Sequence, residues 1–301
     1  MKGVLKSMGR FLRKLAIVTM SIALLSCGAN GFVIGALYER LDNEIEKTFR
    51  EYADLTSEQE TWLEKEVSAF HLWHRRNELP RYSGWARNSF IPLIKSQELN
   101  RSDVGQLVHD GLAFRRTFNA EFPLNKSPAI LLTVSPEQLI QAREHVDTIF
   151  LEAKERRDKR TPEARVQRQV DRMTNLFKQI GWRLSSEQIV LMTNRFEGWA
   201  VGDDDQGEDW ALWRNWVEEL FSMLDQQAGV TNLAALKEHL RLGYQLEEEL
   251  TPEEWKNNVS RLESMLHELL VGMTDAQKLS VETRMIAIAD VLDDLSSKVV
   301  N

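Results

Sequence analysis

One short signal, repeated five times, limits what this chain can fold into. Thr56-Ser57-Glu58-Gln59, Ser135-Pro136-Glu137-Gln138, Ser185-Ser186-Glu187-Gln188, Thr251-Pro252-Glu253-Glu254 and Thr274-Asp275-Ala276-Gln277 all have the form of a capping box. In such a box the hydroxyl accepts from the backbone N–H three residues on, while the Gln or Glu reaches back to the N–H of the cap. An apolar residue precedes each one: Leu55, Val134, Leu184, Leu250 and Met273. Leu139, Ile189 and Trp255 stand where a hydrophobic staple puts its second member. Pro136 and Pro252 occupy the first helical position, where a missing N–H costs nothing. The five sites predict five helix starts. Their spacings of 79, 50, 66 and 23 residues are too uneven for a solenoid, which needs a nearly fixed period.

Between these starts the apolar residues recur at helical spacing, and no alternating β-branched run is long enough for a sheet. Helices are expected at about 32–53, 57–79, 81–96, 102–120, 136–160, 162–180, 186–199, 208–227, 232–248, 252–271 and 275–298. The expected fold is all-α, an irregular multi-helix bundle of about ten helices. Breaks are expected at Phe122–Pro128 and at Gly198–Gly207. A loose division near residue 161 gives helical halves over 56–160 and 161–301, and one continuous helical domain is the other reading. Gly and Pro together number 22 in 301 residues, which argues against a turn-rich all-β fold.

The N-terminus has the features of a secretory signal. Lys2, Lys6, Arg10, Arg13 and Lys14 form a positive region, followed by an apolar run from Leu15 to Leu25. Leu24-Leu25-Ser26-Cys27 then looks like a bacterial lipobox, with residues 1–26 as signal peptide and 27–55 as lipid-anchored tether and first helix. The implied chemistry is a thioether from the Cys27 sulfur to diacylglycerol, cleavage after Ser26 and acylation of the new α-amino group. Two or more acyl chains anchor stably where one is marginal. Cys27 is the only cysteine, so a disulfide framework is excluded by arithmetic. The rival is an uncleaved span over residues 15–38, which Gly28-Ala29-Asn30-Gly31 interrupts. Both readings put residues 40–301 outside the cytoplasm. Gly28 after the cysteine, by the sorting pattern of enteric-type lipoproteins, directs the protein to the periplasmic face of the outer membrane. Without residues 1–26 the chain has 33 basic and 46 acidic groups, a charge of −13. So acidic a body argues against a nucleic-acid partner, because phosphate binding needs positive surface.

The most distinctive segment is Trp73-His74-Arg75-Arg76-Asn77-Glu78-Leu79-Pro80-Arg81-Tyr82, expected to close the helix that starts at Thr56. Leu63, Val67, Phe70 and His74 form an apolar stripe, and His71, His74, Arg75 and Glu78 share adjoining turns. One reading is a polar site with His74 or Glu78 as acid or base and the arginines gripping an anion. The other is a buried histidine bonded to a neighbour, with Arg75 and Glu78 in ion pairs that set the angle before Pro80. His71-x-x-His74 has metal-ligand spacing but no third ligand close in sequence, so no metal and no cofactor is assigned.

Together with Tyr38, Leu41-Asp42, Tyr52, Asp54-Leu55-Thr56 and Gln59, this segment resembles the N-terminal signature of a family of uncharacterised proteobacterial lipoproteins. That family is domain of unknown function six-two-seven-nine. The lipobox followed by the signature matches its layout over about residues 27–85, and the longer apolar stretch from Gly31 to Leu37 departs from it. The resemblance implies a location and a fold and supplies no catalytic residue.

Three other features carry structural and functional readings side by side. Phe196, Trp199, Trp210, Trp213, Trp216 and Phe221 flank an acidic stretch, and they read as core at helical spacing or, for Trp199 and Trp216, as sugar-stacking faces. Asp203–Asp209 fails the calcium-loop template because Gly207 takes the third acidic place. Lys154–Arg172 holds eight basic and four acidic residues, either a solvated helix pair or a patch for an acidic partner or anionic lipid. The expected role is a non-catalytic helical scaffold or accessory factor for another envelope protein. Its candidate contacts are Trp73, His74, Arg75, Arg76, Glu78, Arg81 and Tyr82. The alternatives are an envelope hydrolase acting on peptidoglycan or another glycan, and a lipase-chaperone-like folding helper.

Overall fold

The capping chemistry builds most of the molecule. The computed structural model describes residues 35, 38–200, 208–225, 233–245, 248–249 and 251–298, without the side chains of 157, 199, 200 and 208–210. The helices are α1 (Leu41–Arg50), α2 (Ser57–Trp73), α3 (Leu79–Trp85), α4 (Ile91–Lys95), α5 (Arg101–Glu121), α6 (Pro123–Lys126), α7 (Pro136–Asp158) and α8 (Pro162–Gln179). They continue with α9 (Ser186–Ala200), α10 (Glu208–Asp225), α11 (Leu233–Gly243), α12 (Pro252–Val271) and α13 (Asp275–Ser297). No strand occurs among the described residues. The fold is all-α.

Four of the five expected capping boxes form, at Thr56–Gln59, Ser135–Gln138, Ser185–Gln188 and Thr274–Gln277. The fifth does not. Thr251 has φ −130° and ψ 56°, away from the extended backbone that aims a cap side chain at the third N–H, and α12 starts on Pro252 without a side-chain cap. Thr161 caps α8 by accepting from the Ala164 N–H at 3.3 Å, a start without a Gln or Glu three residues on.

The formed boxes meet in pairs. Gln59 and Gln138 exchange amide hydrogen bonds of 3.1 and 2.7 Å, joining the starts of α2 and α7. Gln277 donates to Gln188 at 2.8 Å, joining the starts of α13 and α9. Each glutamine thus caps its own helix and ties it to another.

The expected break at Pro80 is absent. α2, α3 and α4 form one continuous rod, joined by π-helical turns at His74–Glu78 and Ala86–Phe90. In a regular α-helix a proline ring meets the carbonyl four residues back. Here the Leu79 N–H donates five residues back to the His74 carbonyl, and the Ile91 N–H to the Ala86 carbonyl. Each wide turn immediately precedes a proline, Pro80 or Pro92, at the second position of the next helix, so the rod passes both prolines.

Three apolar clusters hold the helices. One centres on Tyr38, Leu63, Val67, Phe70, Phe118 and Phe122, and Leu295 of α13 reaches into it. A larger one joins Ala86–Val104 to Val166, Phe177, Met192, Met265 and Val281. A third packs Leu139 and Val146 of α7 against Val217, Phe221 and Leu236. All three take residues from both sides of position 161, so the two halves are not separately packed units. Gly181 ends α8 at φ +85°, with the Trp182 N–H reaching the Phe177 carbonyl at 2.8 Å and the Gly181 N–H reaching the Lys178 carbonyl at 3.1 Å. A Cβ there would lie 2.7 Å from the Ser280 carbonyl, so glycine is required twice over.

Candidate functional site

The Trp73–Tyr82 segment lies in the middle of the rod, where the first π turn meets the chain just before α1. His74, Arg75 and Glu78 are 1%, 3% and 1% exposed. Arg76 and Arg81 are exposed, and Trp73 and Tyr82 are half-buried. The segment is therefore a buried polar junction with an exposed basic rim. Three of its expected contact residues cannot touch a macromolecular partner directly.

Residues before α1 supply the partners. The Tyr38 hydroxyl and His74 Nδ1 are 3.0 Å apart, and the Tyr38 ring packs 4.7 Å from His71. Arg75 donates to Glu39 at 2.8 Å and lies 5.4 Å from the Tyr38 ring, a cation–π contact. It also reaches the Lys298 carbonyl at 3.5 Å, which brings the end of α13 into the same junction. Glu78 Oε1 accepts from Arg81. Behind His74, Phe70 and Phe118 close the site with rings 6.2 and 5.5 Å away.

The electrostatics follow from this enclosure. Burial, then the neighbouring His71, pushes the His74 imidazole down to about 3, so it is neutral at physiological pH. Burial and then Arg75 lower His71, against the opposing pull of Asp42 and Glu39. Tyr38 is raised, chiefly by burial. Tyr82 is raised by burial and by the Glu78 carboxylate. A neutral His74 that already shares Nδ1 with a tyrosine is a packing element with one polar edge left over. Among the described residues no group of three or more His, Cys, Asp or Glu side chains is placed to hold a metal ion.

Family comparison agrees with the signature. Residues 51–241 match the family of unknown function DUF6279. The chain belongs to DUF6279. The match runs well past residue 85, where the recognisable signature ends, and it takes in α2 to α10. Tyr38 and Glu39, which complete the junction, lie before the DUF6279 match. No curated protein and no solved structure matches the chain.

The remaining candidates fall in different places. Trp216 stacks on His239 at 5.2 Å with the rings 3° from parallel. Its indole N–H donates to the His239 carbonyl, and His239 Nε2 donates to the Trp216 carbonyl, both at 2.8 Å. One face of Trp216 is therefore committed to locking α10 on α11. Phe196 and Phe221 are core. Cys27, the acidic stretch 203–207 and the side chains of Trp199 and Trp210 lie outside the described residues.

Three of the eight basic residues in the stretch are paired along α7, through Lys154–Asp158, Arg156–Glu152 and Lys159–Glu155, each one helical turn apart. Arg160, at the turn into α8, has its guanidinium pushed down by burial and by the charges of Arg168, Arg156 and Arg165. Sequence reasoning missed Tyr38, Glu39 and the Lys298 carbonyl as members of the junction. Only Tyr38 carried a signal, as part of the family signature.

Proposed function

We propose that this DUF6279 chain is a lipoprotein tethered through Cys27 to the periplasmic face of the outer membrane. There it acts as a non-catalytic helical scaffold or accessory factor for another envelope protein. The observation that carries this reading is the commitment of the candidate acid–base groups. His74 and Glu78 are buried, and each spends an atom on an internal partner, Tyr38 or Arg81. General acid–base chemistry needs such a group within hydrogen-bond reach of substrate. In this junction they instead join the segment that follows the tether to the helical body. The surface left for a partner is the exposed rim, Arg76 and Arg81, with the half-buried Trp73 beside it. The arginine-rich turn between α7 and α8 offers a second positive surface on an otherwise acidic body.

The test is in-cell crosslinking of the full-length protein, with Arg76→Glu expressed at the same level as control. Arg76 is exposed, so this change leaves the buried junction intact. The expected result is one dominant envelope protein, reduced tenfold or more in the variant. Glycan fragments captured in its place, or sacculus digestion by the purified protein, would overturn the scaffold reading. A protein found wholly in the soluble fraction would overturn the tether.

A further inference from the structure

The corner where α7 gives way to α8 concentrates arginine. Only residues 159–161 separate the two helices, so Arg156 and Arg160 come close to Arg165 and Arg168 on the first turns of α8. The Arg160 guanidinium feels the charges of Arg168, Arg156 and Arg165, and no carboxylate offsets them. Other cations of the stretch are already matched, since Lys154, Arg156 and Lys159 pair with acids one turn away. Among the described residues Arg160 and Arg168 make neither an ion pair nor a hydrogen bond, and Arg172 meets only the neutral Gln169 amide, at 3.2 Å. Arg168 and Arg172 are exposed, and Arg160 is half-buried. Arg168 and Arg172 also stand one turn apart on α8, a like-charge spacing that works against the helix.

The chemistry of this corner selects its partner. A guanidinium is always charged, planar and weakly hydrated, and its parallel N–H groups match the two oxygens of a carboxylate. An anionic membrane is a poor fit. Arg160, Arg168 and Arg172 fall short of the cluster of about four to eight basic groups that recognises such a surface. A flat anionic surface would also bring the acidic remainder of the chain against like charge. An acidic protein segment brings a few carboxylates to the corner alone. We infer that Arg160, Arg168 and Arg172 form a docking site for an acidic segment of a partner protein, whose carboxylates supply the missing counter-charge. This inference deepens the accessory-factor reading and rests on it for the partner being an envelope protein. The site itself is testable without that partner.

The probe is a fluorescently labelled oligoglutamate peptide, titrated with the full-length protein in uncharged detergent and followed by anisotropy. Saturable binding is expected, weakened about tenfold or more by Arg160→Gln with Arg168→Gln. Lys154→Gln with Lys159→Gln removes the same charge from already matched positions and should leave the affinity within about twofold. The arginine pair has no protein partner to lose, so its replacement should not lower the unfolding temperature. Equal weakening by the two pairs, or none by either, would overturn the site. So would displacement of the peptide by a short-chain phosphatidylglycerol, which would make the corner a lipid site. In-cell crosslinking separates the two readings. An envelope protein captured equally by the chain with Arg160→Gln and Arg168→Gln overturns the docking site alone. Capture of no protein by the unaltered chain breaks the accessory-factor reading, and the peptide titration still decides the site.

Discussion

Two kinds of buried polar group sit at the two ends of α2, and the fold treats them differently. At the start of α2 and α7, Gln59 and Gln138 are buried, and their amides are used on both ends. Each Oε1 accepts from the cap backbone, at Thr56 or Ser135, and each Nε2 crosses to the other helix. Gln138 adds a bond to the Asp54 carbonyl and Gln59 one to Thr133. In the π-helical junction, His74 and Glu78 are equally buried, but each commits one atom and leaves the other without a protein partner. A glutamine amide facing two helix starts has its geometry dictated by backbone groups that every helix presents. A histidine and a carboxylate on a widened turn have no such standard partners. The glutamine junction is closed chemistry, and the histidine junction is open.

The sharpest way to break this contrast is Gln138→Ala. It strands the Ser135 N–H and the Asp54 carbonyl and removes the cross-helix partner of the Gln59 amide, so a loss of roughly 2–4 kcal/mol in denaturant unfolding is expected. The loss for Gln59→Ala with Gln138→Ala should fall at least about 1 kcal/mol short of the sum, because one interaction is removed twice. Strict additivity would mean that the two boxes act independently and the pairing is incidental.

The histidine junction should announce itself through pH, where the amides are silent. His74 is held at about 3 in the folded protein against about 6.5 unfolded, so below pH 6.5 the unfolded chain binds the extra proton. Stability from this group is full above about pH 6.5 and is lost as pH falls toward 3, at up to about 1.4 kcal/mol per pH unit. His71, lowered by the same burial, acts in the same direction. His74→Phe should flatten the slope of stability between pH 6.5 and 4.5, and an unchanged slope would remove His74 from the account. Smallest of the three, Tyr38→Phe deletes the hydroxyl that meets Nδ1 and should cost about 1 kcal/mol at pH 7. Most of that difference should be absent in the His74→Phe background, and a cost that persists there would separate the two side chains.

How much was legible in the sequence follows the same line. Helix starts were readable because a capping box is local, its members three residues apart, and four of five formed. That those glutamines would meet across 79 and 89 residues was not readable, since pairing at that range is decided by packing. The expected stop at Pro80 failed because proline constrains the turn before it, and a π turn meets that constraint as well as a break does. The Trp73–Tyr82 segment stood out by its residue types, which left two readings open: a polar acid–base site, or a buried histidine with Arg75 and Glu78 in ion pairs. The sequence held nothing to mark the Lys298 carbonyl or Glu39 as partners of Arg75, because a backbone oxygen carries no residue signature and Glu39 is one acid among 46.

The π turns also decide which way the rod looks. Before the first of them, Leu63, Val67 and Phe70 point into the Tyr38 cluster. From the second onward, Ala86, Phe90, Ile91 and Ile94 point into the larger one. One helix serves two cores because each wide turn resets the rotational phase of everything beyond it. Deleting a single residue between His74 and Glu78 would barely shorten the rod. It would swing the whole downstream face by about 100°, the angle per residue of an α-helix, and turn Phe90 and Ile94 away from the core they now fill. The junction works as a gear tooth, and the fold is indexed to it.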